Sequence, residues 1–389
     1  MNLFKNLFNK VTSFEFNTLK NSEKYVQNQQ TILIVSGSIP TFDKDSGSNR
    51  LKEIITAYKE LNYNCILCFD STENDVKYIE FFNKNNVILF SELKNKNKTI
   101  LFLKSISNVD FIWFYGPNSL KKQFKRFKKT LPNSKTIYDM VDIHFLRYKR
   151  AIELDPKRIS LRKKYRKYFR IETVLAKKTD VIIAISEQEK EVMSSYIDKN
   201  KIITISNIHY PKVDIKNTLS FENRKNILFI GSAHTPNIDA LHFLHEKIMP
   251  LVWTKLPNLK VDIIGNLDKE ISDINHPNLI FHGYVPEIES FFNSAKFMIA
   301  PLRYGAGVKG KIGQSFEYYL PLVTTNIGAE GMFLKHNENA LIANNAEEFA
   351  NEIINLYIDK KLWLKLQNNS ETSLKPFSRE ILKEKLLKI

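Results

Sequence analysis

The chain has 389 residues, which is too long for one ordinary hydrophobic core and indicates about two domains. Its formal net charge of +16 favours an anionic partner, such as a nucleic acid, an acidic membrane surface or a phosphorylated substrate. No apolar run approaches the roughly 18 residues that span a bilayer, and the N-terminus lacks the apolar core of a signal peptide, so we expect a cytoplasmic protein.

The first fourteen residues, MNLFKNLFNKVTSF, are predicted to form an amphipathic helix. Its apolar face is formed by Leu3, Phe4, Leu7, Phe8 and Val11. Such a face either makes a weak membrane contact or packs on the first domain.

Apolar, strand-like runs alternate with helix-length segments from residue 31 onward. The runs of the first half are TILIVS, NCILCF, FIWFY, KTIYD, DVIIAIS and KIITIS. Continuous apolar strands separated by helices indicate parallel strands that are buried on both faces. Ser186 opens a capping box, SEQE, which predicts a helix directly after its strand.

Cys65 and Cys68 form a C-x-x-C motif inside the strand-like run NCILCFD. Residues three apart in a strand face opposite sides of the sheet, and the chain has no second cysteine pair. We therefore interpret both as core residues rather than as a metal or redox site.

The alternation stops at the polar run 209–224, which we predict to be a linker, and restarts with NILFIG, KVDIIG, NLIFHG, KFMIAP and LPLVTT. In the first turn after this restart, Thr235 is expected to cap a helix that has Pro236 at its first position. The pattern predicts an α/β protein of two facing Rossmann-like domains with parallel sheets, over residues 1–208 and 225–377. Ligands are expected in the cleft between them. A last helix, over 378–389, has no following strand and can cross back to the first domain.

The run FMIAPLRYGAGVKGKIGQSFEYYLPLVTTNIGAEG, residues 297–331, predicts a strand, a glycine-rich turn and a helix of about three turns. Glycines in such a turn let backbone N–H groups approach a ligand, and the helix directs the positive end of its dipole at the same place. Arg303, Lys309 and Lys311 supply cationic side chains, so the stretch is typical of an anion site. The alternative is a tight structural turn with solvated lysines.

The motifs resemble those of the retaining glycosyltransferases of the group 1 or family 4 class, which have the two-domain GT-B fold. The segment GYVPEIESFFNSAKFMIAPLRYGAGVKGKIGQSFEYYLPLVTTNIGAEGM is similar to the G-x-V-x-D, P-L-R-x-G-A-G-x-K-x-K and G-A-E-G motifs of one bacterial branch. In the first half, SGSIPTFDKDSGSNRLKEII and YDMVDIHFLRYKR resemble the glycine-containing loop and the D-x-x-D-x-H-x-x-R segment of that family.

The resemblance implies a nucleotide-sugar donor, a hydroxyl acceptor on a glycan or lipid-linked carrier, retention of configuration, and no cofactor or metal. It assigns Arg303 and Lys309 to the donor diphosphate and His144 to the neighbourhood of the transferred sugar and acceptor. Such cations stabilise the charge of a departing diphosphate without a metal. The complete set of implied donor-binding residues is Gly47, Ser48, Arg303, Gly305, Gly307, Lys309, Gln314 and Ser315.

The chain departs from the wider family at several positions. Ala306 and Gln314 occupy the positions of two glutamates that most members have, and Tyr319 occupies that of a helix-ending glycine. The arginine and lysine that usually follow the first strand of the second domain are missing from GSAHTPN. A neutral amide at Gln314 still hydrogen-bonds a hydroxyl, but it carries no charge.

Two basic runs in the first half, KKQFKRFKK at 121–129 and KRISLRKKYRKYFR at 157–170, interleave cationic and aromatic residues. This pattern suits an anionic membrane surface, which would place the protein on the inner face of the cell membrane. It also suits nucleic acid, although a nucleic-acid-binding protein has no need of the 297–331 site. The rival hypotheses are therefore a basic nucleic-acid- or membrane-binding protein, and another GT-B enzyme such as a nucleotide-sugar epimerase or a phosphorylase.

Overall fold

A computed structural model describes residues 24–72, 75–106, 108–267, 271 and 273–389, and the chain divides into two compact units. Unit 1 contains the described part of Met1–Phe145 together with Arg162–Ile208 and Arg379–Ile389. Unit 2 contains Leu146–Leu161 and His209–Ser378. The amphipathic helix predicted for the first fourteen residues lies outside the described residues.

Unit 1 is built on a parallel sheet of seven strands in the order β3-β2-β1-β4-β5-β6-β7. Its strands are β1 (Thr31–Val35), β2 (Asn64–Cys68), β3 (Ile88–Phe90), β4 (Phe111–Tyr115), β5 (Lys135–Asp139), β6 (Val181–Ala184) and β7 (Ile202–Thr204). The helices along this part of the chain are α1 (Ser46–Glu60), α2 (Val76–Lys84), α3 (Lys96–Ser105), α4 (Pro117–Thr130), α5 (His144–Leu154), α6 (Ile159–Arg170) and α7 (Glu187–Ser194).

Unit 2 is built on a parallel sheet of six strands in the order β10-β9-β8-β11-β12-β13. Its strands are β8 (Ile227–Ile230), β9 (Val261–Ile264), β10 (Leu279–Phe281), β11 (Phe297–Ala300), β12 (Leu322–Thr324) and β13 (Leu341–Ile342). The remaining helices are α8 (Thr235–Phe243), α9 (Met249–Trp253), α10 (Glu289–Ser294), α11 (Gly310–Glu317), α12 (Asn326–Ala329), α13 (Ala346–Ile358), α14 (Lys360–Asn368), α15 (Ser370–Leu374) and α16 (Arg379–Leu386), the last of which belongs to unit 1.

The strands of each sheet are mostly apolar, and those at its centre are largely buried. All five residues of β1 and of β2 are buried, and so are all four of β9 and of β11. Helices on both faces of a parallel sheet require this continuous apolar pattern, since neither face is left to water. The predicted α/β class with parallel sheets is thereby confirmed.

Three local predictions have clear outcomes. Ser186 caps α7, and its hydroxyl accepts the N–H of Glu189 as the capping box predicts. The predicted cap at Thr235 is wrong, because His234 holds the extended N-cap conformation and Thr235 is already helical. The predicted three-turn helix after the glycine loop is also too long, since α11 ends at Glu317.

Cys65 and Cys68 are buried core residues on β2, as the strand interpretation predicts. Burial raises the pKa of the Cys65 thiol to about 12 and raises that of Cys68 further. Both thiols are therefore protonated near neutral pH, which is the inert form of a cysteine.

The C-terminal helix α16 packs on α1 within unit 1. Arg379 donates to the buried carboxylate of Glu53 (2.5 Å) and to Glu60 (3.1 Å), and Lys383 pairs with Glu60 (2.5 Å).

Among the described residues, no helix combines the length and the apolar character that a membrane span needs.

Candidate active site

The strand order of unit 2 fixes where a ligand site is expected. Strand β8 has β9 on one side and β11 on the other, so the connections that leave β8 and β11 turn in opposite directions along the sheet. In open α/β sheets this switch point leaves a crevice at the carboxyl ends of the strands. The turn from β8 to α8 and the glycine-rich turn from β11 to α11 both start at this edge.

The glycine-rich turn, residues 301–309, has a backbone that requires glycine. Gly307 has φ +73°, in the left-handed region that disfavours other side chains. The Lys309 ammonium closes over the turn and donates to the carbonyl oxygens of Gly307 (2.6 Å) and Ala306 (3.3 Å). Within unit 2, Arg150 donates to the carbonyl of Gly305 (2.7 Å) and pairs with Glu330 (2.5 Å). The turn is therefore held by two cations from different parts of the sequence.

Arg303, predicted as a diphosphate ligand, forms a two-pronged pair with Asp239 of α8. Its Nε donates to one carboxylate oxygen at 2.9 Å, and a terminal nitrogen contacts the other. The hydrogen bond from Arg303 to Asp239 is the main cause of the raised pKa of this guanidinium. The side chain is 40% exposed, so an anion can compete with Asp239 for it.

Lys311 lies in the first turn of α11 and is partly buried. Its Nζ donates to Oδ1 of Asn237 (2.7 Å), and the amide of Asn237 donates in turn to the carbonyl of Ser232 (2.9 Å). Asn237 packs against Gly231, and only glycine leaves room for it, because a Cβ on Gly231 would lie 2.9 Å from Cγ of Asn237. The side-chain amide of Asn237 thus links the turn after β8 to the start of α11.

Gln314 and Ser315, the other predicted donor ligands of α11, differ in availability. Gln314 is partly buried, and its amide has no hydrogen-bond partner among the described residues. Ser315 is fully buried and donates to the carbonyl of Ile312 (2.8 Å). Tyr319 follows α11 in the left-handed conformation, at φ +53°, which glycine adopts more readily than tyrosine.

His209 is a residue of this region that the sequence analysis missed. It falls at the start of the predicted linker, yet it is buried in unit 2, and its Nδ1 lies 2.9 Å from the carboxylate of Glu317 on α11. Its ring lies against Gly313, where a Cβ would come within 2.2 Å of Nε2. The glycine in the middle of α11 was the available signal, because an isolated helical glycine often makes room for a neighbour.

In unit 1 the predicted loop residues Gly47 and Ser48 lie at the start of α1. Asp45 caps this helix: its carboxylate accepts the backbone N–H and the hydroxyl of Ser48, each at 2.7 Å. The hydroxyl of Tyr115 donates to the carbonyl of Gly47 (2.7 Å). Both groups therefore belong to a hydrogen-bonded helix start at the carboxyl end of β1, beside the switch point between β1 and β4.

A buried ion pair fixes α1 to this edge of the sheet. Arg50 donates to Asp139 (2.7 Å) and to the carbonyls of Ile205 (2.8 Å) and Ser206 (3.3 Å), and neither partner of the pair is exposed. Burial is the largest single influence and lowers the pKa of Arg50, but the charges and hydrogen bonds of Asp139 and Tyr115 together raise it overall. No local pattern predicts this pair, because its members lie 89 positions apart in the chain.

His144 begins α5 beside two carboxylates. Its Nδ1 lies 3.0 Å from Asp142 and 3.2 Å from Glu172, and Glu172 also accepts the backbone N–H of His144 (3.1 Å). Burial alone lowers the pKa of His144, but Asp142 and then Glu172 outweigh it and raise it to about 10. The ring packs on Tyr168 at 4.7 Å between centroids. His144 is therefore an imidazolium near neutral pH, with Nε2–H free to donate because no described residue accepts from it.

The two basic runs lie largely on α4 and α6. Some of their aromatic side chains are buried in the unit. The ring of Phe127 is buried with its centroid 6.0 Å from that of Phe114, and Tyr168 is buried against His144. Lys121 and Lys122 are exposed. The outward surface of these helices is thus more purely basic than the sequence suggests.

Residues 224–359 match the family model of the group 1 glycosyl transferases. An uncharacterized 44.6 kDa protein in the cps region of Klebsiella pneumoniae is 32% identical over 188 residues, which are 45% of this chain and 47% of that protein. The chain thus aligns with about half the length of this relative. The matched family region includes the glycine-rich turn, α11 and the α8 turn.

Two solved structures have the same fold. Anabaena Alr3699/HepE in complex with UDP and glucose superposes with a TM-score of 0.70 at 13% identity, over 92% of this chain and 99% of that one. Sucrose-phosphate synthase from Thermosynechococcus elongatus gives 0.72 at 13% identity, over 92% and 98%. The predicted pair of Rossmann-like domains, as found in GT-B glycosyltransferases, is confirmed.

Proposed function

We propose that this protein is a glycosyltransferase that moves a sugar from a nucleotide-sugar donor to a hydroxyl acceptor. The observation that carries the proposal is the cationic, glycine-rich turn at the switch point of unit 2, inside the region that matches the group 1 family. A nucleoside diphosphate that leaves the sugar develops negative charge, and fixed cations with backbone N–H groups stabilise it. The bound UDP and glucose of the Anabaena structure make a nucleotide sugar the first donor class to test.

In this proposal Arg303 and Lys309 hold the diphosphate, and Gly305 and Gly307 let the backbone approach it. Arg303 exchanges Asp239 for phosphate when the donor binds, since both partners accept the same two-pronged hydrogen bonds. The free amide of Gln314 binds a ribose or sugar hydroxyl, as a neutral replacement for a carboxylate.

His144 acts as a hydrogen-bond donor rather than as a base. Its two carboxylate neighbours keep the ring charged and orient Nδ1 toward them, which leaves Nε2–H for a sugar or acceptor oxygen. A group with a pKa near 10 is a poor proton acceptor at neutral pH, so a base must come from elsewhere in the reaction.

We further propose retention of configuration and independence of metal and cofactor. Retention is supported by the resemblance to retaining enzymes alone, and NMR of the product tests it: an inverted anomeric centre rejects it. Metal independence is supported by the cations of the site, which supply the charge that a metal would otherwise bring. Loss of transfer in EDTA, with recovery on adding Mg²⁺, contradicts it.

The proposed acceptor is a glycan or a lipid-linked carrier in surface-polysaccharide synthesis, at the inner face of the cell membrane. Support comes from the relative in the cps region and from the basic surface of α4. Each lysine or arginine near an anionic bilayer contributes about 1 kcal/mol of binding free energy. We expect Lys121→Ala with Lys122→Ala to weaken binding to phosphatidylglycerol vesicles and to leave soluble donor affinity unchanged. If the parent binds oligonucleotides but not vesicles, the membrane proposal is wrong.

The central test is donor binding. Thermal shift with a panel of nucleotide sugars identifies the donor, because a ligand at 100 times its dissociation constant stabilises by about 2.7 kcal/mol. Replacing Arg303 or Lys309 with alanine removes a charge-assisted hydrogen bond of about 1.5 to 3 kcal/mol, so we expect roughly ten- to hundredfold weaker binding. Lys335→Ala, at an exposed lysine of the same unit, is the matched control. Unchanged affinity in both site variants refutes the assigned phosphate site.

A further inference from the structure

Lys311 has an unusual environment for a lysine. Its ammonium is partly buried, donates to the amide oxygen of Asn237 (2.7 Å) and lies 4.9 Å from the ring centroid of Phe229. No carboxylate among the described residues pairs with it. A buried cation without a counter-ion is costly, because it loses hydration and gains only dipoles in return.

The charged groups around Lys311 come from the elements that pack against it. The glycine-rich turn contributes Lys309, whose positive charge acts on Lys311. The same turn contributes Arg303, and α8 contributes Asp239, but these two groups are paired with each other. Helix α15, which packs on α11, contributes Glu371, which accepts a hydrogen bond from the Tyr319 hydroxyl. Strand β8 contributes only apolar residues, among them Phe229. Lys311 therefore faces a like charge and no available opposite charge.

We propose that Lys311 takes up a proton when a diphosphate anion binds at the glycine-rich turn, so that donor binding is coupled to pH. The inference rests on the proposed function, because it takes the turn to be the diphosphate site. The anion supplies the opposite charge that the protein withholds, and Lys311 lies in the first turn of the helix that follows the glycines. The empty site then carries one positive charge fewer, because Lys311 is neutral, and repulsion among the cations of the site is smaller than if Lys311 were charged.

The direction of the pH effect follows from the empty site. Burial, and then the charge of Lys309, lower the pKa of Lys311 to about 7. A bound anion favours the ammonium and raises this pKa, so binding takes up protons at a pH above 7. Affinity should therefore fall as pH rises through the free pKa, by up to about tenfold per pH unit until the pKa of the complex is reached.

Competitive acetylation with mass-spectrometric readout measures the titration of the Lys311 amine directly. The probes are UDP-glucose, whose diphosphate diester does not titrate near neutral pH, and sodium sulfate, a divalent anion without a nucleoside. We expect the amine of the full chain to titrate near 7 without anion and at least about one unit higher with a bound probe. A titration near 10 without anion, or one that neither probe changes, overturns the inference.

The two probes separate this inference from the proposed function. If sulfate raises the titration of Lys311 but no nucleotide sugar binds, the coupled anion site stands and the donor assignment fails. If UDP-glucose binds and the titration of Lys311 does not move, the donor assignment stands and the coupling is wrong. Lys311→Met should abolish the pH dependence of UDP-glucose affinity, whereas Lys335→Met, at a lysine with a 70% exposed side chain, should retain it.

Discussion

Gly313→Ala tests the packing that holds α11 in place. The new Cβ would lie 2.2 Å from Nε2 of His209 and 2.4 Å from Cδ2 and Cε1, whereas ordinary contacts begin near 3.4 Å. The ring is not free to withdraw, because its Nδ1 is bonded to Glu317 (2.9 Å) and its backbone N–H donates to Phe377 (3.0 Å). The helix or the ring must therefore move by about an ångström.

Overpacking of this kind costs about 1 to 3 kcal/mol of unfolding free energy. In a His209→Ala background the obstacle is gone, and alanine should then stabilise the helix by about 0.5 to 1 kcal/mol relative to glycine. The two substitutions should therefore show a coupling energy of about 1.5 to 4 kcal/mol in a double-mutant cycle. His209→Ala alone also leaves the buried Glu317 carboxylate without its partner, a cost that the cycle subtracts.

Urea unfolding of the four proteins measures the cycle, and hydrogen exchange of the amides in α11 places the effect in unit 2. Gly37→Ala is the matched control, because an added Cβ there meets nothing within 4 Å. If Gly313→Ala costs the same with and without His209, to within about 0.5 kcal/mol, the proposed contact between ring and glycine is refuted.

Three further predictions concern charges. The pKa of His144 is raised from 6.5 to about 10, so its contribution to stability is fully present below pH 6.5 and is lost as pH rises toward 10. His144→Gln should flatten this part of the pH–stability curve, which thermal unfolding at a series of pH values measures. Arg50→Met strands a buried carboxylate and should destabilise unit 1 by about 3 to 5 kcal/mol in urea, and a loss below 1 kcal/mol contradicts the buried pair. Asp239→Asn releases Arg303 and should strengthen donor binding by calorimetry; weaker binding shows instead that Asp239 positions the guanidinium.

The parts of the fold that sequence predicts are those set by local pattern. The buried strands β1 and β11 are continuous apolar runs, and the glycine-rich turn combines φ-permissive residues with cations within nine residues. Strands β3 and β13, of three and two residues, were not predicted, whereas the equally short β7, β10 and β12 were predicted from the apolar runs that contain them. Local pattern thus locates the candidate anion site but misses one edge strand of each sheet.

The contacts that tune the site depend on residues far apart in the chain, and no local pattern encodes them. Arg50 meets Asp139 across 89 positions, and His209 meets Glu317 across 108. Arg303 is an example in which the residue was predicted and its partner was not: Asp239 lies on a different helix. A sequence therefore indicates which cations are available but not which of them are already paired.

The neutral residue at position 314 is consistent with a site whose charge depends on Lys311. Gln314 follows Lys311 by three residues on α11, so the two side chains are neighbours on one helix face. A carboxylate in Gln314→Glu would give Lys311 a permanent counter-charge and raise its pKa from about 7. Lys311 would then be protonated before any anion binds.

UDP-glucose affinity of the Gln314→Glu variant should become insensitive to pH from about 7 to about 9. It should be weaker than that of the parent near pH 6, because the carboxylate repels the diphosphate. Gln314→Met adds no charge, so it should keep the pH dependence and lose only the hydrogen bond of about 0.5 to 1.5 kcal/mol. A calorimetric pH profile of Gln314→Glu that superimposes on that of the parent would show that Lys311 does not respond to charge at this face, and the neutral amide would then have no electrostatic explanation.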